Sequence, residues 1–308
     1  MNIATVKTFE SQAKLLVTGE YCVLRGALAL ALPLKFGQTL TVERGDGEPI
    51  IKWESRIDGK PWFTASLSTD FSVKETSSTN LSATLSDILR AAASLSNQFK
   101  QLDHSCRVIS DMNFNPDWGV GSSSSLISNI AYWADCNPFE LNKLTFNGSG
   151  YDIACARSFQ PITYEIKAEM PVFRNVNFHP SFHRQLYFVY LNRKQNSRTS
   201  VAELDLSRIS QREIIAISSL TNDFVATNNL KDFQSLLDEH EAITGNIIGK
   251  EPVGKVLFPD FQGSIKSLGA WGGDFVLAAS DAPEAYVRNY FGAREFKTMF
   301  NYREIVRI

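Results

Sequence analysis

Residues 28–43 read LALALPLKFGQTLTVE, an apolar run that ends in alternation, with Leu40 and Val42 set against Thr39, Thr41 and Glu43. A period of two marks a half-buried strand. KLLVTGEYCVL, just before it, reads as another strand. IIKWESRIDGKPWFTASL predicts a hairpin about Asp58-Gly59, a pair suited to a two-residue loop. FSVKETSSTN is polar and is expected to be a surface loop. Over 81–99 the period changes: Leu81, Leu85, Ile88, Leu89, Ala92 and Leu95 share one helical face. CRVISDMNF is again a strand, and Leu126, Ile127, Ile130 and Trp133 predict a helix over about 124–133.

PITYEIKA and QLYFVYLN read as strands. SVAELDLSRIS opens with a capping box, Ser200 with Glu203. Two helices are predicted over 211–226 and 230–248. GSIKSLGAWGGDFVLAAS reads as strand, glycine turn and strand, PEAYVRNYF as a helix with proline in its first turn, and TMFNYREIVRI as a strand. This mixture predicts α+β layers. The least regular stretch, 168–184, is the expected domain boundary, giving domains 1–172 and 173–308.

Composition adds exclusions. The 308 residues, 44% hydrophobic and 21% charged, suit one large or two medium soluble domains with a sizeable core. A formal charge of -2, with Lys and Arg dispersed, lacks the basic stripe of a nucleic-acid partner. No run approaches the about 18 apolar residues of a membrane span, and MNIATVKTFE lacks the apolar core of a signal peptide. A cytoplasmic protein is expected, with Cys22, Cys106, Cys136 and Cys155 as reduced, mostly buried thiols. His179 and His183 have metal-binding helical spacing, but Pro180 disfavours helix at His179, so a metal is not expected there.

The chemistry concentrates in glycine-rich stretches. NPDWGVGSSSS lies between a predicted strand and a predicted helix. Gly119 and Gly121 allow close backbone approach, and Ser122–Ser125 bring hydroxyls to a helix N-terminus, where N–H groups and the dipole favour an anion. The loop is either a phosphate cradle or a flexible cap; neither GxxxxGK[ST] nor GxGxxG is present. GSGYD sets Asp152 behind two glycines, GAWGGD follows Lys266, and Lys14 lies on an early strand, where burial would demand a partner or a task. A phosphate cradle, a metal-binding hydroxyl or carboxylate, a cation and a base are the parts of phosphoryl transfer.

On these residues the chain resembles the GHMP kinase superfamily of galacto-, homoserine, mevalonate and phosphomevalonate kinases. AKLLVTGEYCVLRGALALAL is similar to the first motif, PGKxxLxGEHxVxxG. NPDWGVGSSSS is similar to the second, PxxxGLGSSAA, and KSLGAWGGD to the third, KxxGAGxGG. The three stand in order over 13–274. Tyr21 after Gly19-Glu20, and GSGYDIACA, look most like phosphomevalonate kinases; the GYDIA string also resembles a subgroup of short, mevalonate-kinase-like members. The resemblance implies a two-domain fold, an N-terminal α+β domain with a left-handed βαβ unit and a C-terminal ferredoxin-like domain. It implies an ATP-dependent phosphotransferase of the mevalonate pathway using Mg2+, with mevalonate or phosphomevalonate as acceptor, and leaves room for a homodimer.

It also implies roles. Asp152 matches the catalytic base, with a helix N-cap as the plain alternative, and Lys14 its lysine partner, with a snorkelling strand lysine as the alternative. Ser123 matches the Mg2+ ligand, and Glu140 is the nearest match, about one residue off, to a second metal-holding acid. Gly119, Gly121, Ser122 and Ser124 would line the nucleotide phosphates, and Trp118 would stack on adenine or simply pack. Gly269, Gly272 and Gly273 would shape the site floor. Glu20 and Tyr21 are assigned to the acceptor, with a structural partnership as the other reading for Glu20. Arg193, Lys194 and Arg198 would suit an acceptor already phosphorylated, or form a solvated basic loop. Trp271 replaces a motif glycine and is expected to narrow the pocket. The resemblance admits two other functions: a non-catalytic ligand-binding protein and a diphosphomevalonate decarboxylase.

Overall fold

The computed structural model describes residues 6–195, 204–269, 271 and 273–308. The chain forms two compact units that interleave along the sequence. One takes the chain up to Ala13, then 36–115 and 121–157; the other takes 14–35, 116–120 and 158–308. The expected boundary at 172/173 instead falls inside a strand, Met170–Asn175.

In the first unit, β2 (Ala29–Gly45), β3 (Ile50–Ile57), β4 (Lys60–Ser68), β5 (Val73–Thr76) and β6 (Ser105–Met112) line up as β5-β4-β3-β6-β2. β1 (Val6–Thr18) also pairs with β2. The β3–β6 pairing is parallel, and β6 meets β2 antiparallel with Val108 opposite Val42. The β3–β4 turn is the one Asp58-Gly59 predicts, both residues at positive φ. FSVKETSSTN departs from expectation: its centre is β5, a fully exposed edge strand whose polar residues carry no apolar alternation. β1 begins earlier than KLLVT and ends at Thr18, and the remainder of that predicted strand is a 3-10 turn, Cys22–Arg25. The sheet is covered by α1 (Thr79–Leu95), α3 (Ser122–Ala134) and their apolar faces, so Trp53, Leu89 and Ile130 share one core. The short helices α2 (Asn97–Lys100), α4 (Pro138–Thr145) and α5 (Tyr151–Ala156) complete this unit.

A buried polar chain fixes α3 to the sheet. Ser11 Oγ donates to Asn129 Oδ1 at 2.8 Å, Asn129 Nδ2 to the Gln38 carbonyl at 2.8 Å, and Ser125 Oγ to Gln38 Oε1 at 2.7 Å. Gln38 Nε2 then donates to Ser110 Oγ at 2.7 Å. None of these residues exceeds 3% exposure, so each bond replaces water lost on burial.

In the second unit, residues 29–31 of β2 pair with β7 (Ile162–Lys167), and β7 pairs with β8 (Met170–Asn175). A separate sheet contains β9 (Leu186–Tyr190), β10 (Ser264–Leu268), β11 (Phe275–Ala279) and β12 (Met299–Asn301), all antiparallel, in the order β10-β11-β9-β12. From the other edge this is fourth, first, third, second. Between β9 and β10 lie α6 (Gln211–Ala226), α7 (Leu230–Ile248) and α8 (Val253–Leu257), and between β11 and β12 lies α9 (Glu284–Gly292). That is the βαββαβ, ferredoxin-like arrangement. Ser210 and Glu213 form a capping box at α6, and Asn229 caps α7. The box expected at Ser200 and Glu203 lies outside the described residues. TMFNYREIVRI is a strand only over β12, because Asn301 caps a short helix, α10 (Tyr302–Ile305). Among the described residues no helix is long and apolar enough to cross a membrane.

Candidate active site

The loop between β6 and α3 carries a 3-10 turn, Pro116–Trp118, then Gly119 at φ 69° and Gly121 at φ 102°. Gly121 is the N-cap of α3 and gives no side-chain cap, so the first turn of this 13-residue helix presents backbone N–H groups. The four serines divide by helical phase. Ser122 is half-buried and Ser123 exposed, whereas Ser124 and Ser125 are buried. Ser124, expected at the phosphates, turns its hydroxyl onto the Gly121 carbonyl at 3.0 Å, and Ser125 joins the Gln38 chain. The hydroxyls at the surface of this loop belong to Ser122 and Ser123.

Asp152 occupies the first turn of α5, behind Gly150. Gly150, not Asp152, is the N-cap; Asp152 Oδ1 accepts the Ile153 N–H at 3.0 Å. α5 is tied to α3 by Arg157, whose Nε donates to Ser128 Oγ at 3.2 Å and whose guanidinium lies 3.6 Å from the Tyr132 ring centre. The helices carrying Ser123 and Asp152 therefore form one packed block. Glu140 stands exposed in the first turn of α4. Among the described residues no cluster of three or more His, Cys, Asp or Glu could hold a metal by itself. A hydroxyl and scattered carboxylates fit Mg2+ that arrives on a nucleotide, since that ion takes one or two carboxylates and completes its shell with phosphate and water.

In the second unit Lys14, 9% exposed, donates its backbone N–H to the Val120 carbonyl at 2.8 Å and reaches the Gly119 carbonyl with Nζ at 3.5 Å. Gly119 is obligatory: a Cβ there would lie 2.4–2.5 Å from the carboxyl atoms of Asp274. Asp274 is 4% exposed and accepts the Gln195 N–H at 3.1 Å, and its own N–H donates to the Arg193 carbonyl at 2.7 Å. Burial pushes its carboxyl up to about 6, opposed by the Gln195 N–H, Lys14 and Lys194. Gly273 is needed for the same approach, since a Cβ would meet Gln195 Cγ at 2.2 Å. The Arg193 side chain is exposed. Lys194 donates to the Pro116 carbonyl at 2.8 Å and lies 3.5 Å from the Asp117 carboxylate. Arg198 and Gly272 lie outside the described residues. Trp118 packs edge-on against Phe300 and Phe275, at 5.3 and 6.2 Å between ring centres.

No family model matches the chain, and no curated protein matches it. Solved structures do. Phosphomevalonate kinase from Streptococcus pneumoniae, bound to phosphomevalonate and AMPPNP, is similar at a TM-score of 0.69 and 14% identity, over 96% of this chain and 99% of that one. L. major mevalonate kinase in complex with R-mevalonate is similar at 0.65 and 16%, over 96% and 95%. Lactococcus lactis galactokinase with galactose is similar at 0.65 and 13%, over 98% and 93%. The chain has the GHMP kinase fold.

Within the GHMP fold the first and third glycine motifs are braced together. Glu20 is 3% exposed and paired with Lys266, and Tyr21 Oη accepts the Trp271 N–H at 3.1 Å. Gly269, at φ 70°, turns the chain there. Behind the pair, Glu241 accepts N–H groups from Ser267 at 2.9 Å and Val253 at 3.3 Å. His240 Nε2 accepts the Gly19 N–H at 3.0 Å, so its other nitrogen carries the proton. Burial and Lys266 hold His240 far below the usual imidazole range, and burial raises Glu20 and takes Glu241 to about 8. Trp271 was expected to narrow the pocket. Its ring is 6% exposed and packs beside Gly245 of α7, where a Cβ would lie 3.7 Å from the ring edge. Asp274, Glu241 and His240 were missed as site-supporting residues; the acid after GlyGly in GAWGGD was the one visible signal.

Proposed function

We propose that the chain is an ATP-dependent small-molecule kinase acting on mevalonate or phosphomevalonate. One observation carries this reading: Ser122 and Ser123 open α3 behind Gly119 and Gly121, and Asp152 rides on a helix packed against α3. In this reading the 119–123 loop takes the phosphates of Mg-ATP, backbone N–H groups and the helix dipole favouring their charge. Ser123 contributes its hydroxyl to Mg2+. Asp152 accepts the proton of the attacking hydroxyl, and Lys14 stabilises the charge that develops on that oxygen. Positioning and electrostatics supply most of the rate.

Arg193, exposed beside the Asp274 turn, favours an acceptor that already bears phosphate, because guanidinium grips phosphate in a bidentate fork. Burial of Trp271, which departs from the third motif, is compatible with this reading. The test is ADP release by the purified protein with Mg-ATP and each acceptor, followed by product mass. A product heavier by one phosphoryl group is expected. Acceptor-independent ATP loss, or no turnover with either compound, would overturn the proposal, and release of carbon dioxide would identify a decarboxylase.

A further inference from the structure

We infer that Asp274 makes phosphate binding at the Gly119 turn conditional on a divalent cation. The inference rests on the reading of the 119–123 loop as a nucleotide phosphate cradle.

The Asp274 carboxylate lies against the Cα face of Gly119, so close that a methyl group could not be inserted. Its surroundings are those of an anion site. Lys14 on β1 and Lys194 after β9 supply positive charge, the Gln195 N–H donates to Oδ1, and Tyr190 stands nearby. Lys14 also reaches the Gly119 carbonyl, so cation, turn and carboxylate form one unit. The position is held from both sides along the chain, by Asp274 N–H to the Arg193 carbonyl and by Leu191 N–H, at 2.8 Å, to the Asp274 carbonyl. Asp274 takes φ 51°, a left-handed conformation that aspartate tolerates better than most side chains. The protein has placed its own anion directly against the turn.

A bare phosphate approaching this turn meets a buried like charge, which low local polarity strengthens. A phosphate bridged by Mg2+ presents a cation to the same carboxylate, and repulsion becomes attraction. Asp274 therefore selects the metal complex of the nucleotide over the free nucleotide.

Calorimetric binding of AMPPNP to wild type and to Asp274→Asn, in EDTA and in Mg2+, tests this. Asparagine keeps an oxygen for the Gln195 N–H and removes the charge. The expected result is affinity in EDTA raised by about tenfold or more in the variant, with the gain on adding Mg2+ correspondingly reduced. Unchanged or weaker binding in EDTA would overturn the inference, whatever occurs in Mg2+. If Asp274→Asn does not fold, Asp274→Ser gives the same comparison with a smaller side chain. A wild type that binds nucleotide in neither buffer refutes the cradle itself and the kinase reading with it; a wild type that binds, beside a variant unchanged in EDTA, refutes the role of Asp274 alone.

Discussion

Glu20 Oε1 and Lys266 Nζ lie 2.5 Å apart, with both side chains at most 3% exposed. They join the loop after β1 to the strand that leads into the third glycine motif. Lys266 also donates to the Ser267 carbonyl at 2.8 Å, and Glu241 lies close enough to feel its charge. Lys266→Met would leave the buried Glu20 carboxylate without its cation. A loss of about 3–5 kcal/mol in urea unfolding is expected, most of it recovered in the Glu20→Gln/Lys266→Met double variant. A single variant as stable as wild type would show that the pair is not strained by burial.

The same cluster makes stability depend on pH. Glu241 titrates near 8 in the fold against an ordinary 4.5, so the folded state holds a proton that the unfolded state has released. That stability is complete below 4.5 and is lost as pH rises toward and through 8. Glu20, also raised, acts in the same direction. His240, held below 6.5, acts oppositely in acid. The clean window is therefore pH 6.5–8, where the melting temperature should fall with pH. In Glu241→Gln the fall should be shallower, and identical slopes would assign the proton elsewhere.

Asp152→Asn should reduce turnover by about 10²–10⁴-fold, the contribution of a positioned base, with circular dichroism and nucleotide binding retained. Ser123→Ala should raise the Mg-ATP requirement more than the acceptor requirement. Initial rates against each substrate separate the two. Full turnover in the Asp152 variant would remove that residue from the chemistry.

Trp271→Gly installs the glycine of the motif that KSLGAWGGD resembles and so distinguishes a pocket residue from a core residue. The ring lies in the core beside Gly245. The variant should unfold more easily by about 3–5 kcal/mol, the usual cost of deleting a buried aromatic side chain. Thermal unfolding checks this, and an unchanged midpoint would return Trp271 to the pocket.

The helices Gln211–Ala226 and Leu230–Ile248 were legible from their apolar periodicity, and Ser210 with Glu213, and Asn229, cap their first turns. β8 was not. Its turn bends at Ala168 and Glu169, both at positive φ without glycine or asparagine to signal it. β5 was hidden because an exposed edge strand needs no apolar alternation. In the site, Gly119, Gly121 and Asp152 were visible as local motifs. The inward turn of Ser124 depended on helical phase, and the packing of Trp271 on Gly245, a residue distant in sequence. Asp274 stood in plain view, but its meaning came from Gly119, far earlier in the chain.

The interleaving of the two units bears on how this protein is made. The second unit begins with residues 14–35, which leave the ribosome well before residues 158–308 of the same unit. Its register closes late: Leu34 bridges to Val306, and the Arg307 N–H donates to the Pro33 carbonyl at 2.9 Å. The apolar strand at 29–34 must wait for its final neighbours until residues 306 and 307 have been made. During that interval this apolar segment is open to chaperones and to aggregation, and a ribosome stalled before residue 306 would leave the strand without its last partner.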